Sequence, residues 1–174
     1  MNIRGNGVEL TAVETQDCET IRKILGGFEA KRYYFACPSK EPPPGFPCCL
    51  STAVCCKNAY CFAVRAEGKT VGLCAYRDID YRNGSVTVWA AAAGERWKKY
   101  RLEAIKALSK NAFDQMRMEH IAFYCLEGDS EAAEAAKSAG FRRDAVLYSR
   151  IRNGGESKNL ELYTLLKNED VFKW

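Results

Sequence analysis

The chain has 174 residues, of which 47% are hydrophobic and 28% are charged. This length suits one domain, and the composition is typical of a folded globular protein and excludes disorder. The formal net charge of +4 is too small to predict a nucleic-acid-binding surface. The longest apolar runs, such as Val88–Ala93, are far shorter than the roughly 20 residues of a membrane-spanning helix. Because Met1–Gly7 lacks the apolar part of a secretory signal, we expect a cytoplasmic protein.

The first elements of the chain are predicted to be a strand and a helix. Residues Val8–Val13 alternate in polarity as a strand does. Asp17 is the expected N-cap of a helix whose apolar positions recur at helical spacing, at Ile21, Ile24 and Leu25. Gly26 and Gly27 are expected to end this helix, because glycine favours the position just after a helix.

The next segment, Phe28–Asn58, has no clear periodicity, and its run Glu41–Pro47 cannot form regular helix because proline lacks an amide hydrogen. Six of the nine cysteines of the chain lie between Cys37 and Cys61. None of them has the C-x2-C spacing that aims two thiolates at one zinc ion. We therefore predict an irregular Cys/Pro-rich insert over about 28–58 with reduced thiols and no metal; a cysteine-based metal site is the alternative.

Three consecutive antiparallel strands are predicted after this insert. Tyr60–Arg65 and Thr70–Tyr76 are apolar-rich runs separated by a short polar turn. Asn83–Gly84 is a strong hairpin signal, and the third run, Ser85–Ala93, follows it.

The second half of the chain predicts two helices and three strands. A basic patch, Arg96–Arg101, comes just before a long amphipathic helix whose apolar face is Leu102, Ile105, Leu108, Ala112, Phe113 and Met116. A short strand at Ile121–Cys125 leads to a helix over about Ser130–Ala139, with Gly140 after its end. Two last strands are expected near Ala145–Ile151 and Leu160–Leu166.

This order of elements predicts a single α/β (α+β) domain over residues 1–174. Its sheet is expected to have about seven mostly antiparallel strands, flanked by helices and containing one internal βαβ unit.

Several short stretches, in this order and spacing, resemble the GNAT superfamily of N-acetyltransferases, particularly the branch that acetylates the N-termini of ribosomal proteins. They are Phe62–Val64, Val71–Gly72, Tyr76–Asp80, Ala139–Phe141 and Leu165–Leu166, and the resemblance runs from about Val8 to Leu166. The resemblance implies transfer of an acetyl or other acyl group from acyl-CoA to an amine of a small molecule or peptide. It implies acetyl-CoA or another acyl-CoA as the donor substrate.

In this family a glycine-containing loop before a helix holds the pyrophosphate of coenzyme A, because free amides and the helix dipole attract anions. The matching stretch here, Gly94–Leu102, lacks both motif glycines, and four cations among its side chains are expected to bind the phosphates instead. The alanines of the preceding strand leave room for a pantetheine arm. The donor-binding residues implied are Ala90, Ala91, Ala92, Arg96, Trp97, Lys98, Lys99, Tyr100, Arg101 and Leu102.

Two further family positions carry different side chains here. The family's asparagine falls at Asp129 and its acidic tyrosine, which protonates the leaving thiolate, falls at Ala136. Asp129 is therefore the expected catalytic residue, as a base or a hydrogen-bond acceptor. Asp78, Asp80 and Glu95 are the other candidate bases, and His120 is expected to be structural.

The alternatives differ in kind. A GNAT-fold transferase could take its acyl group from acyl carrier protein or a charged tRNA, which carry no coenzyme nucleotide. A non-catalytic module that binds a ligand or a partner is the other alternative. The acceptor wall is expected from the first helix and the insert over about 28–58, whose aromatic and cysteine side chains favour an apolar acceptor.

Overall fold

The computed structural model describes residues 2–26, 60–92, 94, 98–153 and 156–167. Within these ranges the elements are β1 (Ile3–Arg4), β2 (Glu9–Ala12), α1 (Cys18–Gly26), β3 (Tyr60–Ala66), β4 (Lys69–Asp80), β5 (Ser85–Ala92), α2 (Lys98–Asp114), β6 (His120–Leu126), α3 (Ser130–Ser138), β7 (Arg142–Asn153) and β8 (Glu156–Leu166). The predicted insert, with all five of its cysteines, lies outside the described residues.

One sheet contains all eight described strands, in the order β1-β2-β3-β4-β5-β6-β8-β7. Its neighbours pair antiparallel except β5 and β6, which are parallel and joined through α2. This arrangement confirms the predicted α+β class and the single βαβ unit.

The sheet has one strand more than the sequence predicted. β1 has two residues and pairs with β2 through Ile3↔Leu10 and Arg4↔Glu9. A strand this short cannot show alternation, so the sequence carried no signal for it. β7 is longer than predicted because its pairing with β8 continues through two register shifts.

α1 begins directly after Asp17, as the sequence predicted, but the Asp17 carboxylate has partners other than the amides of this helix. A 3-10 turn over Thr15–Asp17 precedes the helix, and Glu14 is the residue that caps this turn. The buried Asp17 carboxylate accepts hydrogen bonds from the Glu14 amide (2.8 Å), the Arg65 guanidinium (3.0 Å) and the Thr70 hydroxyl (2.5 Å). Asp17 therefore anchors the start of α1 to β3 and β4, and the prediction that it caps the helix was wrong.

The other two helices begin next to each other at one end of the sheet. α2 begins at Lys98, inside the basic patch and not after it as predicted, so its first turn is basic and contains no acid. α3 begins after its N-cap Asp129, and Gly140 follows it with a φ of 90°, as the glycine signal predicted. A contact between Lys98 and Glu131 joins the two helix starts.

Apolar side chains fill both faces of the sheet. The larger core lies between one face and helices α2 and α3, and the hydroxyl of the buried Tyr76 donates to the Leu108 carbonyl across it (2.6 Å). A smaller cluster of Ile21, Leu73, Ala75 and Trp89 lies under α1 on the opposite face. Helices therefore cover both faces of the central strands of the sheet.

Candidate functional site

Strands β5 and β6 separate toward their C-terminal ends. They pair only through Ser85↔His120, Val86↔Ile121 and Thr87↔Ala122, although both strands are described to their ends. β5 continues to Ala92 against β4, and β6 continues to Leu126 against β8. The space between residues 88–92 and residues 123–126 is therefore a wedge, called here the β5–β6 cleft.

The strand edges facing this cleft carry backbone hydrogen-bonding groups. Alternate N–H and C=O groups of a strand point to opposite sides, and β4 takes those on only one side of β5. The groups on the cleft side are available to an extended ligand that carries amides of its own. A strand N–H here is also suited to stabilise a developing oxyanion.

The part of β5 beside the cleft ends in three alanines. Ala90 is buried against the larger core, Ala91 lies half-buried toward the smaller cluster, and Ala92 is the last residue of the strand. The structure therefore brings three of the predicted donor-binding residues to the cleft.

Two helix N-termini lie at the open end of the cleft. α2 follows β5 and α3 follows β6, so both helices start where the strands diverge. The Lys98 ammonium lies 2.5 Å from the Glu131 carboxylate, which places the two starts side by side. The unpaired amides and the dipole of a helix start both favour an anionic group.

The first turn of α2 is basic, and carboxylates from two other elements contact it. Glu131 of α3 pairs with Lys98, while Glu67 of the β3–β4 turn accepts a hydrogen bond from the Tyr100 hydroxyl (2.5 Å). Lys99 lies 3.8 Å from Glu67 and 4.6 Å from the centre of the Tyr100 ring. Two lysines of this turn therefore already contact carboxylates.

The remaining predicted donor-binding residues are distributed around this turn. Arg101 is half-buried, and its Nε atom is buried with no hydrogen-bond partner among the described residues. Leu102 packs against the larger core. Arg96 and Trp97 lie outside the described residues.

Asp129 lies where β6 passes into α3. Its carboxylate accepts a hydrogen bond from the Ala132 amide (3.0 Å), and its own amide donates to the Leu126 carbonyl (3.0 Å). Asp129 thus fixes the start of α3 at the mouth of the cleft. Ala136, at the family's tyrosine position, is fully buried in the same helix.

Two of the other candidate bases lie near the start of β5, at the end opposite the cleft. Asp80 faces Ser85, five residues before Ala90 and so about 17 Å away at about 3.3 Å per residue. Hydrogen bonds from the Asn83 amide and side chain lower the pKa of Asp80, which organises the hairpin turn. Asp78 is exposed in the adjoining bulge, with a φ of 49°. Glu95 lies outside the described residues.

A polar cluster beside the cleft was not predicted. The Glu161 carboxylate accepts hydrogen bonds from the Tyr163 hydroxyl (2.7 Å) and pairs with the Arg143 guanidinium (2.9 Å), and Cys125 Sγ lies 3.9 Å from it. Burial, followed by the nearby Glu161 and Asp129 charges, raises the pKa of Cys125 to about 12. The alternation of β8 carried a signal for this cluster, since Glu161 occupies the same face as the buried Tyr163 and Leu165.

The part of the chain that the structure describes holds no group of three or more His, Cys, Asp or Glu side chains arranged to bind a metal ion. No helix in those ranges is long and apolar enough to cross a membrane.

Comparisons with known proteins agree on one family. The family model described as an acetyltransferase (GNAT) domain matches residues 8–142. No curated protein is significantly similar in sequence. Among solved structures, a GNAT-family acetyltransferase from Bacillus anthracis is similar with a TM-score of 0.77 and 18% identity, over 97% of this chain and 100% of that one.

Two other similar structures are of proteins whose names include an acyl acceptor. A variant of the spermidine N-acetyltransferase of Vibrio cholerae has a TM-score of 0.73 and 16% identity, covering 92% of this chain and 94% of that one. A Vibrio cholerae protein assigned as a ribosomal-protein-serine acetyltransferase has a TM-score of 0.69 and 16% identity, covering 95% and 97%.

Proposed function

The chain belongs to the GNAT acetyltransferase family, and from this premise we propose that it transfers an acetyl or other acyl group from acyl-CoA to an amine. The observation that carries this proposal is the β5–β6 cleft, whose two strand edges do not pair with each other and which has two helix starts at its mouth. A coenzyme A thioester has matching chemistry, because its pantetheine arm carries amides and its other end carries phosphates.

The donor would lie along β5 and reach the start of α2. Ala90, Ala91 and Ala92 would leave room for the pantetheine arm, whose amides would bind the free edge of the strand. Arg96, Lys98, Lys99 and Arg101 would bind the phosphates, with Trp97, Tyr100 and Leu102 shaping the turn that carries them. The buried Arg101 Nε, which has no partner among the described residues, supports such a role.

The reaction would begin with attack of a neutral amine on the thioester carbonyl carbon. A β5 amide on the cleft side would donate to the oxyanion of the tetrahedral intermediate. The carbon–sulfur bond then breaks, the new amide leaves, and the CoA thiolate takes a proton from solvent. A thiol of pKa about 8.5 leaves as an adequate anion, so the absence of a tyrosine at Ala136 is tolerable.

Asp129 is the proposed acceptor of the amine proton. One oxygen of its carboxylate binds the Ala132 amide, and a carboxylate has further lone pairs to accept from an ammonium group. A peptide α-amino group, with a pKa near 7.7 to 8.0, needs less help from a base than a lysine with a pKa of about 10.4.

We propose a small-molecule or peptide amine as the acceptor. The names of two similar structures give spermidine and a ribosomal-protein serine as acceptors. The resemblance to the ribosomal-protein branch supports a peptide N-terminus. The cluster under α1, with half-buried Cys18 and Cys61 beside Trp89, supports an acceptor with an apolar portion. A cytoplasmic location and a single domain over the whole chain remain predictions of the sequence.

A donor without a nucleotide is the second candidate. Glu67 and Glu131 already occupy the cations at the start of α2, which favours acyl carrier protein, whose thioester arm carries a single phosphate diester. Acyl transfer from the carrier to an amine in the absence of CoA would support this candidate.

Calorimetric titration with acetyl-CoA tests the first proposal. We expect a dissociation constant well below millimolar that weakens with salt and weakens further in the triple variant Arg96→Ala, Lys98→Ala, Lys99→Ala. Binding no tighter than millimolar and unchanged in the triple variant would contradict it.

A further inference from the structure

The Lys98–Glu131 ion pair joins two elements that border the mouth of the cleft. The ammonium and carboxylate are 2.5 Å apart, and their side chains are 32% and 42% exposed. Lys98 is the first residue of α2, and Glu131 lies in the first turn of α3. A ligand that reaches this mouth meets the pair directly.

The basic first turn of α2 has the wrong charge for an isolated helix. The positive end of the helix dipole favours acids, yet the charged side chains of this turn are cations. An anion placed on the turn relieves this repulsion. Within the described residues, Glu131 supplies that anion for Lys98, and Glu67 supplies it for Lys99.

Glu131 and a donor phosphate would therefore need the same ammonium group. A phosphate that binds Lys98 must displace Glu131, and the released carboxylate then repels it from nearby. A donor held only by its thioester and amide arm against β5 does not have to break this pair.

We propose that Glu131 is a specificity-determining residue that competes with donor phosphates for Lys98 and weakens the binding of phosphate-bearing donors. This inference rests on the proposed function, because it requires the donor to lie in the β5–β6 cleft with its anionic end at α2.

The test is a titration of acetyl-CoA, and of acetyl-pantetheine as a donor without phosphates, at about 20 mM salt. Glu131→Gln removes the competing charge, and Glu134→Gln is the matched control, since Glu134 is an exposed acid on the same helix. Surface ion pairs are worth little, so we expect Glu131→Gln to bind acetyl-CoA about two- to fivefold more tightly than the control does. Acetyl-pantetheine binding should be the same in both variants.

A Lys98→Met background separates competition from a general charge effect. There, Glu131→Gln should bind acetyl-CoA no better than Glu134→Gln, because the contested ammonium is gone. The inference is overturned if the two glutamine variants bind acetyl-CoA equally in the presence of Lys98, or if the gain persists in Lys98→Met. Absence of acetyl-CoA binding in every variant overturns the proposed function and this inference with it.

Discussion

At the residue scale, Asp129 caps α3 and is the proposed acceptor of the amine proton, and one substitution can separate the two. As the N-cap of α3 it needs only an oxygen acceptor, which asparagine provides about as well. As a proton acceptor it needs a negative charge, which asparagine lacks. Asparagine therefore preserves the first role and removes the second.

We expect Asp129→Asn to unfold like the wild type and Asp129→Ala to lose about 1 kcal/mol of stability, since alanine cannot cap the helix. If Asp129 takes the amine proton, Asp129→Asn should lower kcat/KM at least about tenfold. Thermal unfolding and steady-state kinetics measure the two effects. A wild-type kcat/KM in Asp129→Asn would restrict Asp129 to capping.

Cys125 should be unreactive in the folded protein despite lying beside the cleft. Its thiol is buried, and its raised pKa of about 12 keeps it protonated at neutral pH, whereas alkylation needs an accessible thiolate. We expect iodoacetamide at about pH 8 to label Cys18 and Cys61, which are half-buried, well before Cys74 and Cys125. Peptide mass spectrometry with a denatured control measures the order of labelling. Equal rates at Cys125 and Cys61 would contradict the described burial.

Contacts between distant residues limited the sequence predictions at this scale. Asp17 was expected to cap a helix because its neighbours in sequence fit that role, but its partners Arg65 and Thr70 are 48 and 53 residues away. Asp80 was a candidate base because acids near a predicted strand are chemically plausible. Only the register of β4 and β5 shows that it lies at the paired end of the strands.

At the scale of elements, the Asp17 contacts connect α1 to the sheet. The buried carboxylate meets Arg65 of β3 and Thr70 of β4, close to where Gly72 pairs with Ala92 at the cleft end of β5. A shift of α1 would therefore displace the parts of β3 and β4 that lie beside the end of β5, on the proposed acceptor side of the site.

We expect Asp17→Ala to lower the free energy of unfolding by about 3 kcal/mol, because it leaves the Arg65 guanidinium without its buried partner. Glu14→Gln is the comparison: Glu14 also pairs with Arg65 but is 58% exposed, so its loss should cost less than about 1 kcal/mol. Urea unfolding of both variants measures the difference. Similar values for the two would show that burial does not strengthen the Asp17 contact.

Elements with local signals were predicted well. The β4–β5 hairpin follows from Asn83–Gly84, and the end of α3 follows from Gly140. β1 and the 3-10 turn before α1 were missed because two or three residues show no periodicity. The start of α2 was placed too late, since the apolar face begins at Leu102 and the basic turn before it gives no hydrophobic signal.

At the scale of the whole molecule, the cleft arises from how the sheet is divided. β1 to β5 form one antiparallel set, and β6, β8 and β7 form another. Only three parallel residue pairs, between β5 and β6, join the two sets of strands. β5 pairs mainly with β4 and β6 mainly with β8, so β5 and β6 can diverge from each other. No local pattern encodes this divergence; the sequence indicated it only through the resemblance to a family.

This division predicts where a bound donor should slow hydrogen exchange. Acetyl-CoA placed along β5 would cover the cleft-facing edges of residues 88–92 and 123–126 and the first turn of α2, so their amides should exchange more slowly. β7, at the outer edge of the second strand set, should be unaffected. Acetyl-pantetheine should protect the strand edges but not the start of α2, because it has no phosphates. Hydrogen–deuterium exchange measured by mass spectrometry with each ligand tests this footprint. Protection on β7 with none at residues 88–92 would place the donor outside the cleft.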